Sequence, residues 1–131
     1  QAIALFQDLP SQERGAVLQL YAPPGPIPGL ESLEDTLGPE ESKFLRVFRV
    51  NGVSLPEGKK GIFVTASRAN HSCQPNAAFR VEEDGNLSLV AIRPVAAGDE
   101  VTVSYMAEQY LLSPTGHRQR CLRPWGFTCQ C

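Results

Sequence analysis

The run Asn70-His71-Ser72-Cys73-Gln74-Pro75-Asn76 constrains this chain more than any other stretch. It places an amide, an imidazole and a thiol within four residues, then ends any strand at a proline. Pro75 has no backbone donor and holds the residue before it extended. Such a segment suits a buried crossing point, where side-chain amides and backbone groups are presented at fixed angles. Three readings are open on the residue types alone. The segment is a loop with a structural asparagine and a buried thiol, or it holds a ligand, or Cys73 is a nucleophile paired with His71 two positions away. The third reading lacks an orienting group for the histidine.

Around this run the chain changes character. Residues 1–21 read as helical, with Ile3, Leu5, Phe6 and Leu9 as one apolar cluster. Ser11 is the expected N-cap of a second helix whose face is Val17, Leu18 and Tyr21. Proline and glycine crowd residues 22–29 into a loop. Residues 30–37 predict a short acidic helix with Glu31, Glu34 and Asp35 outward. Residues 40–50 predict another helix, burying Phe44, Leu45, Val47 and Phe48. From Gly52 onward the pattern is of short strands. Residues 61–65 are apolar and β-branched. The runs 79–82 and 87–92 flank an Asp-Gly turn, which signals a hairpin. Val101, Val103 and Tyr105 alternate with Thr102 and Ser104, so a strand ends on a tyrosine hydroxyl. A short helix is expected over 106–112, and 117–123 is basic. Helices followed by short antiparallel strands make the class α+β.

At 131 residues the chain is one domain's worth of sequence, with 42% hydrophobic residues and a net charge of −2. That balance argues against direct nucleic-acid binding, which needs a basic surface. No apolar run is long enough to span a bilayer. Of four cysteines, Cys121, Cys129 and Cys131 crowd the last eleven residues, with Cys73 far upstream. A Cys-x-Cys pair cannot close a comfortable disulfide on itself, but both thiolates can reach one metal. A reducing compartment is therefore expected, and the triplets Asn70-His71-Ser72 and Asn86-Leu87-Ser88 are chance glycosylation matches. His117, beside Arg118 and Arg120, reads as a surface residue.

Three stretches in order carry a family resemblance: Ser67-Arg68 with Asn70-His71-Ser72-Cys73 and Pro75-Asn76, then Gly98-Asp99-Glu100 with Ser104-Tyr105, then Arg118, Arg120 and Trp125-Gly126-Phe127-Thr128-Cys129-Gln130-Cys131. Residues 62–131 resemble the C-terminal half of a SET-domain protein-lysine methyltransferase with its post-SET tail, and the resemblance is nearest the SET-and-MYND and fungal branch. It implies a β-clip of short antiparallel sheets with a knot-like crossing at Asn70-His71. Residues 1–60 correspond to the family's helical insert, 61–112 to the catalytic half and 113–131 to a truncated zinc-binding tail.

The resemblance also implies roles. Asn70 and His71 hold S-adenosylmethionine, Tyr105 is the active-site tyrosine and contacts the cofactor, Phe127 stacks on the adenine, and Cys73, Cys129 and Cys131 bind a structural zinc. The partner is a protein presenting a lysine, histone or non-histone, in the nucleus, the cytoplasm or both. No direct nucleic-acid or membrane partner is implied. Two parts of the family pattern have no counterpart: a glycine-rich strand early in the domain, and a cysteine three residues past Cys-x-Cys. The chain is accordingly read as an incomplete methyltransferase domain. The competing reading is a non-catalytic, zinc-stabilised interaction module on the same scaffold.

Overall fold

The computed structural model describes residues 1–130. They fall into two compact units, Gln1–Val64 and a second beginning at Thr65. In the first unit, α1 (Ala2–Gln7) and α2 (Ser11–Leu18) precede a one-turn α3 (Glu31–Glu34) and the long α4 (Pro39–Asn51). A hairpin of β1 (Gly52–Ser54) and β2 (Lys60–Ile62) follows, with Val53 opposite Gly61. Pro39 opens α4 in its first turn, where a missing N–H breaks no helical bond. Phe44, Val47 and Val50 recur at three-residue spacing and are buried. Phe6 stacks on Phe44 with ring centroids 4.3 Å apart, and Val17 and Leu20 close the cluster. Leu45 and Phe48 pack against it from its edge.

Four expectations need correcting in this unit. Leu5 and Tyr21 are 63% and 51% exposed, and Leu20 occupies the core place expected of Tyr21. Ser11 lies inside α2, whose N-cap is Pro10, so no hydroxyl caps that helix. β2 ends at Ile62, short of the expected Thr65. Glu34 points inward and is 7% exposed. The reason is its partners: its carboxylate accepts the Ile27 N–H at 2.6 Å and a bond from Arg46 Nη1 at 3.0 Å. A buried carboxylate is tolerable only when it is paired in this way.

The second unit holds β3 (Asn70–His71), β4 (Ala77–Val81), β5 (Leu87–Ala91), β6 (Thr102–Val103) and α5 (Thr115–Leu122). β4 and β5 form the expected antiparallel hairpin, Val81 opposite Leu87. Its turn is fixed by Gly85 at φ +83°, a left-handed conformation cheap for glycine alone. Asp84 Oδ1 accepts the Asn86 N–H at 2.9 Å. β3 and β6, by contrast, run parallel, so the sheets are not all antiparallel. β6 is only two residues long; Val103 is fully buried and Tyr105 half-buried, but Val101 is 42% exposed, so the expected alternating apolar face does not extend to Val101. The helix expected over 106–112 is a single 3-10 turn at Glu108–Tyr110. Val103, Met106 and Leu122 are buried in this unit. Among the described residues, no helix is long and apolar enough to cross a membrane.

Candidate functional site

The crossing segment is held by one short parallel pairing and one side chain. Asn70 lies opposite Thr102 and His71 opposite Val103, and the Ser72 N–H donates to the Val103 carbonyl at 2.9 Å. Pro75 then ends the pairing, and the Asn76 side chain takes over. Its Oδ1 accepts the Thr102 N–H at 2.8 Å and its Nδ2 donates to the Glu100 carbonyl at 2.9 Å. The Asn76 carbonyl accepts the Ile92 N–H at 2.8 Å. A single asparagine thus satisfies backbone groups on two other segments, which matters where buried backbone must be paired. The Asn70 amide itself donates to Glu100 Oε1 at 2.6 Å on an exposed edge.

His71 and Tyr105 are bound to each other. The Tyr105 N–H donates to His71 Nδ1 at 3.1 Å, and the Tyr105 hydroxyl donates to the Ala69 carbonyl at 2.9 Å. Tyr105 is therefore held at its backbone and at its hydroxyl, with a phenol-oxygen lone pair left over as an acceptor. Burial pushes its pKa above 10.0, and the Glu100 charge pushes it further, so it stays protonated at neutral pH. Burial lowers the pKa of His71, which keeps the ring neutral. A neutral ring that accepts at Nδ1 carries its proton on Nε2, and Nε2 lies 3.4 Å from Cys73 Sγ. His71 thus faces the thiol as a donor.

The tail closes over these groups. A 3-10 turn at Arg123–Trp125 ends on Gly126 at φ +74°, which reverses the chain. Phe127 then meets Tyr105 edge-on, centroids 6.3 Å apart at 84°, and lies 5.9 Å from the His71 ring. The Trp125 ring also lies against Tyr105, centroids 5.2 Å apart. Phe127 keeps 38% of its surface exposed. Three rings therefore gather around the Tyr105 ring. Cys129 follows, its Sγ 3.9 Å from Cys73 Sγ; contrary to the expectation of reduced thiols, Cys129 is disulfide-bonded, while Cys73 and Cys121 are free. His71, Cys73 and Cys129 each place one ligand atom within 4.8 Å of the others. Cys131 lies outside the described residues. Cys121 sits on α5, outside this donor group, and the His117 ring packs on Tyr110 at 5.3 Å. Arg118 is occupied locally, bonded to the Ser113 carbonyl and the Thr115 hydroxyl.

Of the positions expected from sequence, His71, Tyr105, Phe127, Cys73 and Cys129 meet in one place, and Asn70 borders it through β3. Trp125 and the tie made by Asn76 were not expected. Trp125 had a signal, an aromatic two residues before Phe127. Asn76 had none, because its partners at 100 and 102 are distant in sequence.

The SET domain family model matches residues 6–106, well over half of the chain; the tail beyond 106 rests on its own geometry. Over 101 residues the chain is 33% identical to the histone-lysine N-methyltransferase set5 of Schizosaccharomyces pombe, covering 74% of this chain and 29% of that protein. It is 43% identical over 72 residues to the histone-lysine N-methyltransferase ATXR2 of Arabidopsis thaliana, 53% of this chain and 15% of that one. It is 33% identical over 79 residues to a SET and MYND domain-containing protein of Dictyostelium discoideum, 60% of this chain and 22% of that one. The chain thus spans less than a third of the length of each of these relatives. From the family match, and from the ordered motifs that fold into one site, the chain belongs to the SET domain family.

Proposed function

We propose that this chain carries the catalytic half and the closing tail of a protein-lysine N-methyltransferase that uses S-adenosylmethionine. The observation that supports it most is the gathering of the His71, Phe127 and Trp125 rings around the ring of Tyr105, whose hydroxyl is fixed on the Ala69 carbonyl. In this reading residues 113–131 are the zinc-binding tail, 61–112 the catalytic half and 1–60 the insert, and the protein works in the nucleus or cytoplasm.

The residues present fit both groups that the family implies. Two thiolates on one tetrahedral zinc, with Zn–S of about 2.3 Å, stand about 3.8 Å apart. Cys73 and Cys129 stand 3.9 Å apart, far beyond disulfide length. Once the disulfide at Cys129 is reduced, Cys73, Cys129 and Cys131 would hold the metal, with His71 Nε2 donating to the Cys73 sulfur. Zinc supplies a cross-link between the crossing segment and the tail. The partly exposed Phe127 ring offers a face on which a planar purine stacks, beside Asn70 and His71.

S-adenosylmethionine, when bound, supplies an electrophilic methyl group: the lysine nitrogen lone pair forms the N–C bond, the C–S pair leaves with sulfur, and the amine proton goes to water. The protein's task is to present a neutral amine in line with that bond. Free lysine has a pKa of about 10.4, and an apolar wall of rings disfavours its charged form. The Tyr105 proton is committed to Ala69, so its oxygen accepts a hydrogen bond from the amine and aims the nitrogen lone pair. A phenol with a raised pKa is no base, and positioning alone supplies much of the barrier reduction.

Calorimetric titration with S-adenosylmethionine, followed by transfer of labelled methyl to a lysine-bearing protein, tests the reading. Binding should saturate, weaken about tenfold or more in Phe127→Ala through lost stacking, and survive Tyr105→Phe. Transfer should fall by about a hundredfold in Tyr105→Phe, the order expected for one preorganised hydrogen-bonding group. Transfer unchanged in Tyr105→Phe would refute the role of the hydroxyl. Zinc-dependent folding with neither binding nor transfer would favour the interaction module instead.

A further inference from the structure

Helix α5 and the tail are joined by an arrangement that the chemistry described above does not use. Gln119, on α5, meets the backbone of Cys129 with both ends of its side-chain amide. Its Nε2 donates to the Cys129 carbonyl at 2.6 Å, and its Oε1 accepts the Cys129 N–H at 3.1 Å. Only one orientation of the amide satisfies both bonds, so the assignment of its oxygen and nitrogen is fixed by its partners. A side chain is here doing the work of a neighbouring β-strand, pairing donor and acceptor of the same residue. Most side-chain hydrogen bonds satisfy one backbone group; satisfying both on one residue pins its position and its rotation together.

The residue so pinned carries the sulfur that stands 3.9 Å from Cys73 Sγ. Two residues before it is Phe127, against Tyr105 and His71. The tail between Gly126 and Gln130 has no helix or strand of its own, so its path depends on such ties. The helix that supplies the tie is itself anchored: Leu122, one turn further on, is fully buried. Arg118 fixes the start of the helix by donating to the Ser113 carbonyl and the Thr115 hydroxyl. The tie is therefore mounted on a held element, and it reaches the tail at the cysteine itself.

We propose that Gln119 is the positioning residue of the metal site: its amide holds the Cys129 peptide so that the two sulfurs stand at metal-bridging distance before any metal arrives. Gln119 touches neither metal nor substrate. It acts by removing the need to order the tail on binding, and preorganisation of this kind appears as affinity. This assignment rests on the zinc reading above, and its test separates the two.

The measurement is zinc affinity of the whole chain, with the Cys129 disulfide reduced beforehand, by competition with a chromophoric chelator. The variants are Gln119→Met, which keeps length but makes neither bond, and Gln119→Glu, which keeps the acceptor for the Cys129 N–H but has no proton for its carbonyl. Outer-shell partners of metal ligands are typically worth about 10–100-fold in affinity. Gln119→Met should weaken zinc by about that factor, and Gln119→Glu by less, with circular dichroism unchanged. A folded Gln119→Met that binds zinc as tightly as the parent overturns the assignment while leaving the zinc reading intact. A parent chain that binds no zinc overturns the zinc reading and the assignment with it. Hydrogen exchange on the parent provides a check that needs no variant to fold. The Cys129 amide should be protected relative to an exposed amide, and exchange at the exposed rate would overturn the proposal.

Discussion

Glu34 offers the sharpest test of how the first unit is held together. Its side chain is 6% exposed and that of Arg46 is 26% exposed. One carboxylate oxygen takes the Ile27 N–H at 2.6 Å, the other takes Arg46 Nη1 at 3.0 Å. Ile27 is itself buried and lies in the proline-rich loop before α3, so Glu34 ties that loop to α4. Hydrogen bonds to a charged group contribute about 1.5–3 kcal/mol each, and a stranded buried donor costs about 1–3 kcal/mol. In Glu34→Gln, one amide end remains an acceptor and the other becomes a donor that faces either the Ile27 N–H or the Arg46 guanidinium. One of the two bonds is necessarily lost. Arg46, a quarter exposed, recovers part of its hydration, so the expected loss is about 2 kcal/mol. Glu34→Ala loses both bonds and leaves Ile27 without a partner, at about 3–4 kcal/mol, within the range for breaking a buried pair. The assay is urea unfolding followed by far-ultraviolet circular dichroism, because α1 to α4 all lie in this unit. The midpoint should fall with an unchanged slope. A Glu34→Gln chain within about 0.5 kcal/mol of the parent would refute the argument, since surface substitutions commonly fall in that band.

Two further outcomes follow from the second unit. Burial, and then the Glu100 charge, raise the Tyr105 pKa above 10.0; the folded state favours the protonated phenol, so its contribution to stability is complete below pH about 10 and is lost as pH rises through the folded value. Ultraviolet titration should show one phenol that ionises later than free tyrosine and disappears in Tyr105→Phe; a Tyr105 that ionises with or before free tyrosine would contradict this. Gly126 holds φ +74° where the chain turns toward Phe127, so Gly126→Ala should cost about 1–2 kcal/mol and weaken S-adenosylmethionine binding in calorimetry, whereas a variant with both values unchanged would mean the turn does not place Phe127.

The parts of this molecule legible in its sequence are those written locally. The β4–β5 hairpin follows from Asp84-Gly85 between two strand-like runs, and the structure puts glycine where φ must be positive. α4 follows from apolar residues at helical spacing after Pro39. The meeting of Tyr105 and Phe127 was legible only through the family resemblance, since neither residue's spacing implies the other. The parallel pairing of β3 with β6 was missed because two-residue strands carry no periodic signal. Glu34 reads as solvent-facing because a glutamate in an acidic stretch gives no hint of a buried N–H waiting for it.

The missed features share one physical type. Glu34 to Ile27, Gln119 to Cys129 and Asn76 to Thr102 are side chains bonded to backbone groups 7, 10 and 26 residues away. Each stands in for a strand or helix neighbour where the local chain is irregular, and each satisfies a backbone group that would otherwise be costly to bury. A short irregular sheet system needs many such substitutes, because two-residue strands pair few groups through their own ladders. That requirement falls hardest on the segment around Asn70 and the tail, where Tyr105 and the cysteines must be placed without long elements to carry them. The polar residues of this unit that look incidental in sequence are therefore where its site geometry is set. Asn76→Ala should accordingly loosen β6 and Tyr105 together, releasing the Thr102 amide to fast hydrogen exchange. A Thr102 amide still protected in that variant would show that the β3–β6 pairing holds the crossing without the asparagine.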